Sequence, residues 1–396
     1  MSPRTPVAVY FDPFDPLLHT DPYARYAEAR EAAPVCDGPH GLAVLTRHRD
    51  VSAALRDDNL GHGPATAPNK IFSFLGMDPP EHGPLRRIAA RFFSPQITGR
   101  LATTITGFAD DLLDTALDKR EVDLLADFAY PLSLRVICSL FGLPEADQPW
   151  IREQNPPIGR LLDPPYSLSQ NDLTAGRNAA AVFVAYLRRQ INDRRNAPRD
   201  DLLSTLTAEA ETGGPLDRHG LIPMCALLLM AGYETTANII ANAALALLRH
   251  PAQLADARNR CTNGPLDKTS MDELLRYDSS IQATFRTLRR DAVIGGTPLS
   301  AGTPVALLIG SANHDPRVFT RPDELDLDRS PNPHLSFGAG LHYCLGAPLA
   351  RLEAGIALSR LLHRTRRFEL DGVPRHKDIT AAIRGVDALP VVLTSR

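Results

Sequence analysis

His334-Leu-Ser-Phe-Gly-Ala-Gly-Leu-His-Tyr-Cys-Leu-Gly-Ala-Pro-Leu-Ala-Arg351 is the stretch that decides the fold. It sets one cysteine, Cys344, between a glycine-studded loop and the start of a helix. A thiolate there feels the positive end of the helix dipole and is surrounded by backbone N–H groups. Both favour the charged sulfur, the form that ligates a metal. Gly338, Gly340 and Gly346 let the backbone turn sharply and approach a flat partner with no Cβ in the way. His342, two residues before the sulfur, can donate a hydrogen bond to an acidic group on that partner. Competing readings fail on single positions. A dinucleotide loop needs glycine where Tyr343 stands, and a zinc site needs further Cys or His at short spacing, which do not follow. A buried structural cysteine would not call for three glycines and a histidine around it.

The pattern Phe337-Gly338-x-Gly340-x-His342-x-Cys344-x-Gly346 fixes six positions, so a chance match in a chain of this size is roughly one in 10⁵. The segment resembles the signature of the cytochrome P450 (haem-thiolate monooxygenase) family, and the chain is similar to that family from about residue 8 to its end. The resemblance implies haem b with Cys344 as the axial ligand of its iron, in a cofactor-binding loop that includes Phe337, Gly338 and His342. It also implies a soluble bacterial type of fold, with the haem between a long central helix and the cysteine-bearing loop and helix.

The rest of the chain limits the alternatives. A net charge of −3 over 396 residues gives no reason to expect nucleic acid as a partner. No stretch reads as a linker, low-complexity tract or repeat, so one domain over 1–396 is expected. The cysteines, Cys36, Cys138, Cys225, Cys261 and Cys344, are scattered and odd in number, which points to a reducing compartment rather than a disulfide scaffold. Residues 1–20 hold no apolar run fit for a signal peptide or membrane anchor, so the expected location is cytoplasmic. Lysine is scarce beside arginine, a usage that suggests a GC-rich bacterial genome.

Helical periodicity dominates. Helices are expected over Tyr23–Ala33, Thr98–Leu117, Leu132–Phe141, Ala179–Asn196, a long segment ending near His250, Ser270–Tyr277 and Leu345–Arg364. Strand-like runs are short: Leu42–Thr46, Gln282–Thr287, Pro304–Ile309 and Pro390–Leu393. The fold class is therefore mainly α with small peripheral β-sheets. Two irregular stretches, Asp57–Met77 and Gln154–Asn171, read as loops long enough to be lids or binding loops.

Between Gly220 and Leu248 the chain is apolar on nearly every face, the mark of a helix buried in a large protein, some 40 Å long at 1.5 Å per residue. Pro223 is expected to distort its first turns. Gly232, Thr235 and Thr236 in its middle are of the types that open a helical ladder, and the carboxylate of Glu234 there needs a partner or solvent. The stretch matches the family's Ala-Gly-x-(Asp/Glu)-Thr motif. By that resemblance Glu234 and Thr235 are catalytic: they supply the protons that O–O cleavage requires, Thr235 holding a water in place and Glu234 linking it to solvent.

Further roles come only from the resemblance. His82 and Arg86, four apart on one helix, together with Arg286 and His342, match haem-propionate contacts. Glu273 and Arg276 match a Glu-x-x-Arg pair, with Arg329 as third member of a buried structural network. Leu227, Met230, Ala231, Ile281, Gln282, Ala283 and Ile383 match the lining of a substrate pocket, chiefly apolar, for a small organic molecule such as a bacterial secondary metabolite. The implied reaction is an O₂-dependent hydroxylation or epoxidation with two electrons from NAD(P)H, delivered by separate ferredoxin and ferredoxin reductase. Arg87, Arg91, Arg351, Arg360, Arg364, Arg366 and Arg367 are the candidate basic patch for the ferredoxin. The alternatives are an unusual haem-thiolate oxidation such as oxidative coupling, or a non-catalytic haem sensor or recruiting module, against which the Glu234–Thr235 pair speaks.

Overall fold

The computed structural model describes residues 9–62, 70–261, 264–377 and 381–396. Its axis is the helix Arg218–Arg249, which starts where the Asp217 carboxylate accepts from the N–H groups of His219 and Gly220. The helix runs unbroken through Pro223 and through Gly232–Thr236, against the expectation of a distortion and an open ladder. The reason lies in burial, which packs the helix on nearly every face. The Thr235 and Thr236 hydroxyls do bond back to the carbonyls of Ala231 (2.9 Å) and Gly232 (3.4 Å), one turn earlier, but the surrounding packing keeps the backbone ladder in place. Gly232 serves packing instead: a Cβ there would lie 2.7 Å from Ile137 Cδ1 on the neighbouring helix Tyr130–Phe141.

Around this axis pack the helices Ala102–Lys119, Tyr130–Phe141, Gln170–Asn196 and Ala347–Arg364, which share one large core with it. Two segments, Leu124–Phe141 and the central helix, are long and apolar enough to cross a membrane; both are mostly buried within this core. The helix Gln170–Asn196 begins nine residues before the expected Ala179, because Ser169 and Asp172 form a reciprocal capping box. The stretch expected to be irregular from Gln154 is also helical at its start. Gln148–Gly159 continues through Pro156 and Pro157, since burial of Ile151, Asn155 and Ile158 outweighs the two missing N–H donors.

The sheets are small, as expected. In the largest the strand order is Val35–Asp37, Ala43–Leu45, Pro304–Leu308, Ala283–Leu288 and Leu60–Gly61, parallel only where Ala43–Leu45 meets Pro304–Leu308. Alternation along the strands divides its side chains between two minor cores. Leu45, Val305 and Leu307 join one; Val44, Ala306 and Leu308 join the other with Tyr26 and Phe11.

The cysteine loop is suspended from the helix Lys268–Tyr277. Glu273 and Arg276 are fully buried and paired through both carboxylate oxygens (2.7 and 2.8 Å), and Arg329 adds a third contact at 3.0 Å. Both guanidiniums spend their remaining donors on backbone carbonyls, among them Asn313, Pro322 and Thr320. The neighbouring Asp272 holds both ends of the signature segment. It accepts from Arg351 at 2.7 Å and lies 3.3 Å from His334. Burial pushes the Asp272 carboxyl up, but His334, Lys268 and Arg351 together hold it well below the usual carboxylate range.

Candidate active site

Cys344 follows the short turn Gly340–His342 and precedes the helix Ala347–Arg364; its N–H donates to the Phe337 carbonyl at 2.8 Å. Gly338 and Gly340 both adopt left-handed backbone, φ +69° and +67°. At Gly340 a Cβ would strike the Leu55 carbonyl at 2.6 Å, so the loop can pack there only as glycine. Burial raises the Cys344 thiol above its ordinary pKa, while the N–H groups of Gly346 and Ala347 and the cations Arg86 and Arg351 pull the other way. A metal ion on the sulfur would complete that pull and take the thiolate outright. Phe337 is buried beside the sulfur's loop, with the Arg351 guanidinium 4.5 Å from its ring centre.

On one side of the loop the structure gathers four cation-forming groups. The His342 ring lies 4.4 Å from that of His82 and 4.7 Å from that of His62. Arg286, on the strand Ala283–Leu288, is buried beside them, bonding Thr284 and the Phe285 carbonyl, and its guanidinium is pushed down to about 10 by burial. The same cluster pushes His62 and His342 down to about 3, through burial first and then Arg286 and the neighbouring imidazoles. The buried Nε2 atoms of His62 and His82 have no hydrogen-bond partner among the described residues. Such a set of donors fits a pair of carboxylates. Arg86 does not join it; its guanidinium reaches the Tyr343 carbonyl, next to the cysteine. His62 escapes sequence reasoning because it lies in the aperiodic stretch after residue 57. Only the pairing of Leu60–Gly61 with Thr287–Leu288 brings it to Arg286.

On the central helix, Leu227 and Met230 are buried, whereas Ala231 is exposed and Thr235 half-exposed in the middle of an otherwise buried element. Ile281 and Ile383 meet in an isolated antiparallel bridge. Gln282 and Ala283 correct the expected lining. The Gln282 amide folds back onto the Ser279 carbonyl (2.8 Å) and its oxygen packs on Gly310, while Ala283 lies in the minor core with Phe11 and Tyr26. Gln282 lies just before the strand, and the face of Ala283 on it packs into that minor core.

Glu234 is buried and held from two sides. Lys377 Nζ pairs with Oε1 at 2.8 Å and donates to the Tyr130 hydroxyl at the same distance, and the Asn155 amide donates to Oε2. Burial pushes the Lys377 ammonium down, but Glu234 and Tyr130 raise it further, so it stays charged. A cavity of about 800 Å³ reaches this pair, lined by Glu234, Lys377, Tyr130, Asn155 and Ile383 and opening past the exposed Arg152 and Glu153. Lys377 and Asn155 were not legible as partners, being 143 and 79 residues away in sequence.

The basic patch is largely neutralised. Arg91 pairs with Glu209, Arg351 with Asp272, Arg360 and Arg364 with Asp110, and Arg367 with Glu369. Arg87 is exposed on the helix His82–Ala90, next to Arg86.

Fold and site together define a haem-thiolate protein: a single cysteine at a helix start, a glycine loop, and a cationic cluster fitted to propionates. The model of the family "Cytochrome P450" matches residues 167–384. The chain is 34% identical to the "Biotin biosynthesis cytochrome P450" of Bacillus subtilis (strain 168), over 94% of this chain and 96% of that protein. It is 35% identical to the "Cyclomarin C epoxidase CymV" of Salinispora arenicola (strain CNS-205), over 88% and 89%. Its structure matches that of CalO2 with a TM-score of 0.89 and 33% identity, covering 98% of this chain and 100% of the other. The chain belongs to the cytochrome P450 family and is a monooxygenase. Haem with thiolate ligation, a redox partner and a small-molecule substrate follow from that membership.

Proposed function

We propose that this monooxygenase hydroxylates or epoxidises a mostly apolar small organic molecule, a bacterial secondary metabolite, in the cytoplasm, with two electrons passed from NAD(P)H through a ferredoxin reductase and a ferredoxin. Haem b would be held through Cys344, with His62, His82, His342 and Arg286 as the groups to meet its propionates, and would supply the dioxygen-splitting chemistry. The observation that carries the reading is the division of labour on the central helix. Thr235 is half-exposed, one turn from the exposed Ala231 on an otherwise buried helix, while the adjacent Glu234 lines the solvent-reaching cavity. A hydroxyl already donating to Ala231 has its lone pairs free to hold a water in the chamber. The Glu234 carboxylate, held in place by its ion pair with Lys377, passes protons from the cavity to that water. Apolar side chains at Leu227, Met230, Ile281 and Ile383 keep other water out and favour an apolar substrate. The relative CymV, named as an epoxidase, supports the reaction class.

The test is the ratio of product to NAD(P)H consumed. Thr235→Ala is expected to keep consuming electrons while shedding peroxide, with most electron pairs no longer appearing in product. Coupled turnover at the wild-type level in that variant overturns the assignment. A library screen for a low-to-high-spin shift then identifies the substrate.

A further inference from the structure

The helix Gln170–Asn196 carries a stripe of residues on one face: Arg177, Ala181, Val184, Arg188 and Arg195 follow one another at helical spacing. Between this stripe and the first two turns of the central helix lies a groove of about 710 Å³. Ala180 and Ala181 end at Cβ and leave open a space that longer side chains would fill. Beneath it the floor is apolar, with Leu161, Ile191 and Leu221 buried. Four arginines, Arg177, Arg188, Arg195 and Arg218, line the groove, and no carboxylate does. Arg195 and Arg218 share the Glu211 carboxylate, at 3.2 and 2.9 Å, so one carboxylate answers two guanidiniums there. Arg177 and Arg188 are exposed and have no ion pair or hydrogen bond among the described residues. Arginines on an ordinary solvated face have no apolar floor beside them. An apolar cleft of this size with a few cationic groups at its rim is what small-molecule sites show. It shares no lining residue with the cavity beside Glu234.

We propose that this groove is a second, non-catalytic binding site for an amphipathic organic anion, with its apolar chain along Ala180, Ala181 and Val184 and its carboxylate met by Arg188. Positive charge is densest at that end, where Arg195, Arg218 and His219 lie across from and beyond Arg188. From Arg188 back to Arg177 the helix rises about 16 Å, room for a medium-length acyl chain. The methylene stem of Arg177 covers the far end of that chain while its guanidinium stays in water. The site is also coupled to the core. Leu161 lines the groove and packs in the main core, and Gly176 is pressed so closely on it that a Cβ there would lie 2.8 Å from Leu161 Cδ2. A ligand in the groove therefore braces the joint between Gln148–Gly159 and Gln170–Asn196, and its binding stabilises the folded protein.

The test uses the full haem-bound protein, with monomeric dodecanoate as the probe and dodecan-1-ol as its uncharged counterpart. Calorimetry is expected to show a dodecanoate site whose filling leaves the haem absorption spectrum unchanged. The alcohol is expected to bind there about tenfold more weakly, the scale of one charge-assisted hydrogen bond. Arg188→Glu is expected to weaken the site by at least as much, and Ala181→Trp, at an exposed position that accepts the ring, to close it. Arg189→Glu, which removes the same charge from an exposed arginine outside the groove, is expected to leave it unchanged. The rise in thermal midpoint on adding dodecanoate should follow the same order. Dodecanoate binding that always shifts the haem spectrum, and so occupies the chamber alone, overturns the proposal. A silent site of wild-type strength in both Arg188→Glu and Ala181→Trp overturns it as well. Binding to phosphatidylglycerol vesicles without any site for monomeric dodecanoate reassigns the groove to a lipid surface and overturns it too.

Discussion

Glu353 offers a quantitative test of how the helix that begins after Cys344 is seated. Its side chain is 1% exposed, faces the helix Tyr130–Phe141, and takes a hydrogen bond from the Ser133 hydroxyl. Among the described residues it has no cationic partner within ion-pair distance. Burial therefore pushes its carboxyl up to about 8, from 4.5, with Ser133 pulling only weakly the other way. The folded state holds this proton more tightly than the unfolded chain does, so the carboxyl is harmless below about pH 4.5 and destabilising as pH rises, fully so above about pH 8. Each unit of difference is about 1.4 kcal/mol, which makes the cost about 1 kcal/mol at pH 5, about 3 at pH 7 and about 4 at pH 8. Glu353→Gln keeps an acceptor for Ser133 and carries no charge at any pH. Urea unfolding of both proteins, followed by far-ultraviolet circular dichroism from pH 5 to 8, isolates this group because every other titration is common to the two. The wild type is expected to lose about 3.5 kcal/mol relative to the variant over that interval. Parallel stability curves would show that Glu353 is ionised and solvated, and the seating argument would be refuted.

Glu273→Ala strands two buried guanidiniums, and a loss of about 3 to 5 kcal/mol in unfolding free energy is expected, with haem retention falling as the cysteine loop loosens; an unchanged denaturation midpoint would contradict the network's role. Cys344→Ala is expected to abolish the thiolate-type carbon monoxide difference spectrum of the reduced protein, and its persistence would remove Cys344 as the ligand. Arg87→Glu should slow reduction by an acidic ferredoxin severalfold at low ionic strength, with the difference vanishing at high salt. Stopped-flow rates independent of both charge and salt would move the docking face elsewhere.

What could be read from the sequence were the features whose physics is local. A cysteine among glycines, the helical spacing of apolar residues and the Glu-x-x-Arg pair declare themselves within a few residues, because helix geometry and backbone freedom act at that range. The central helix, the cysteine-bearing helix and the small sheets were accordingly legible, with errors at ends and at prolines. Capping at Ser169 and tertiary burial around Pro156 overrode the local signals there. The direction of Gln282 and Ala283 could not be read either, since it depends on distant neighbours, Gly310 for the one and Phe11 and Tyr26 for the other.

What only the tertiary structure decided are the partnerships between distant residues. Lys377 reaches Glu234, His62 joins His82, His342 and Arg286, Asp272 holds both ends of the cysteine segment, and Glu353 lies buried without a counter-charge. Each is an electrostatic fact set by burial and by neighbours tens to hundreds of residues away. A charge's state depends on its surroundings in space, while the sequence lists only its neighbours in the chain. The cysteine motif thus settled the family and its chemistry. The pairing of Glu234 with Lys377, and which arginines remain free of a counter-charge, were settled by packing.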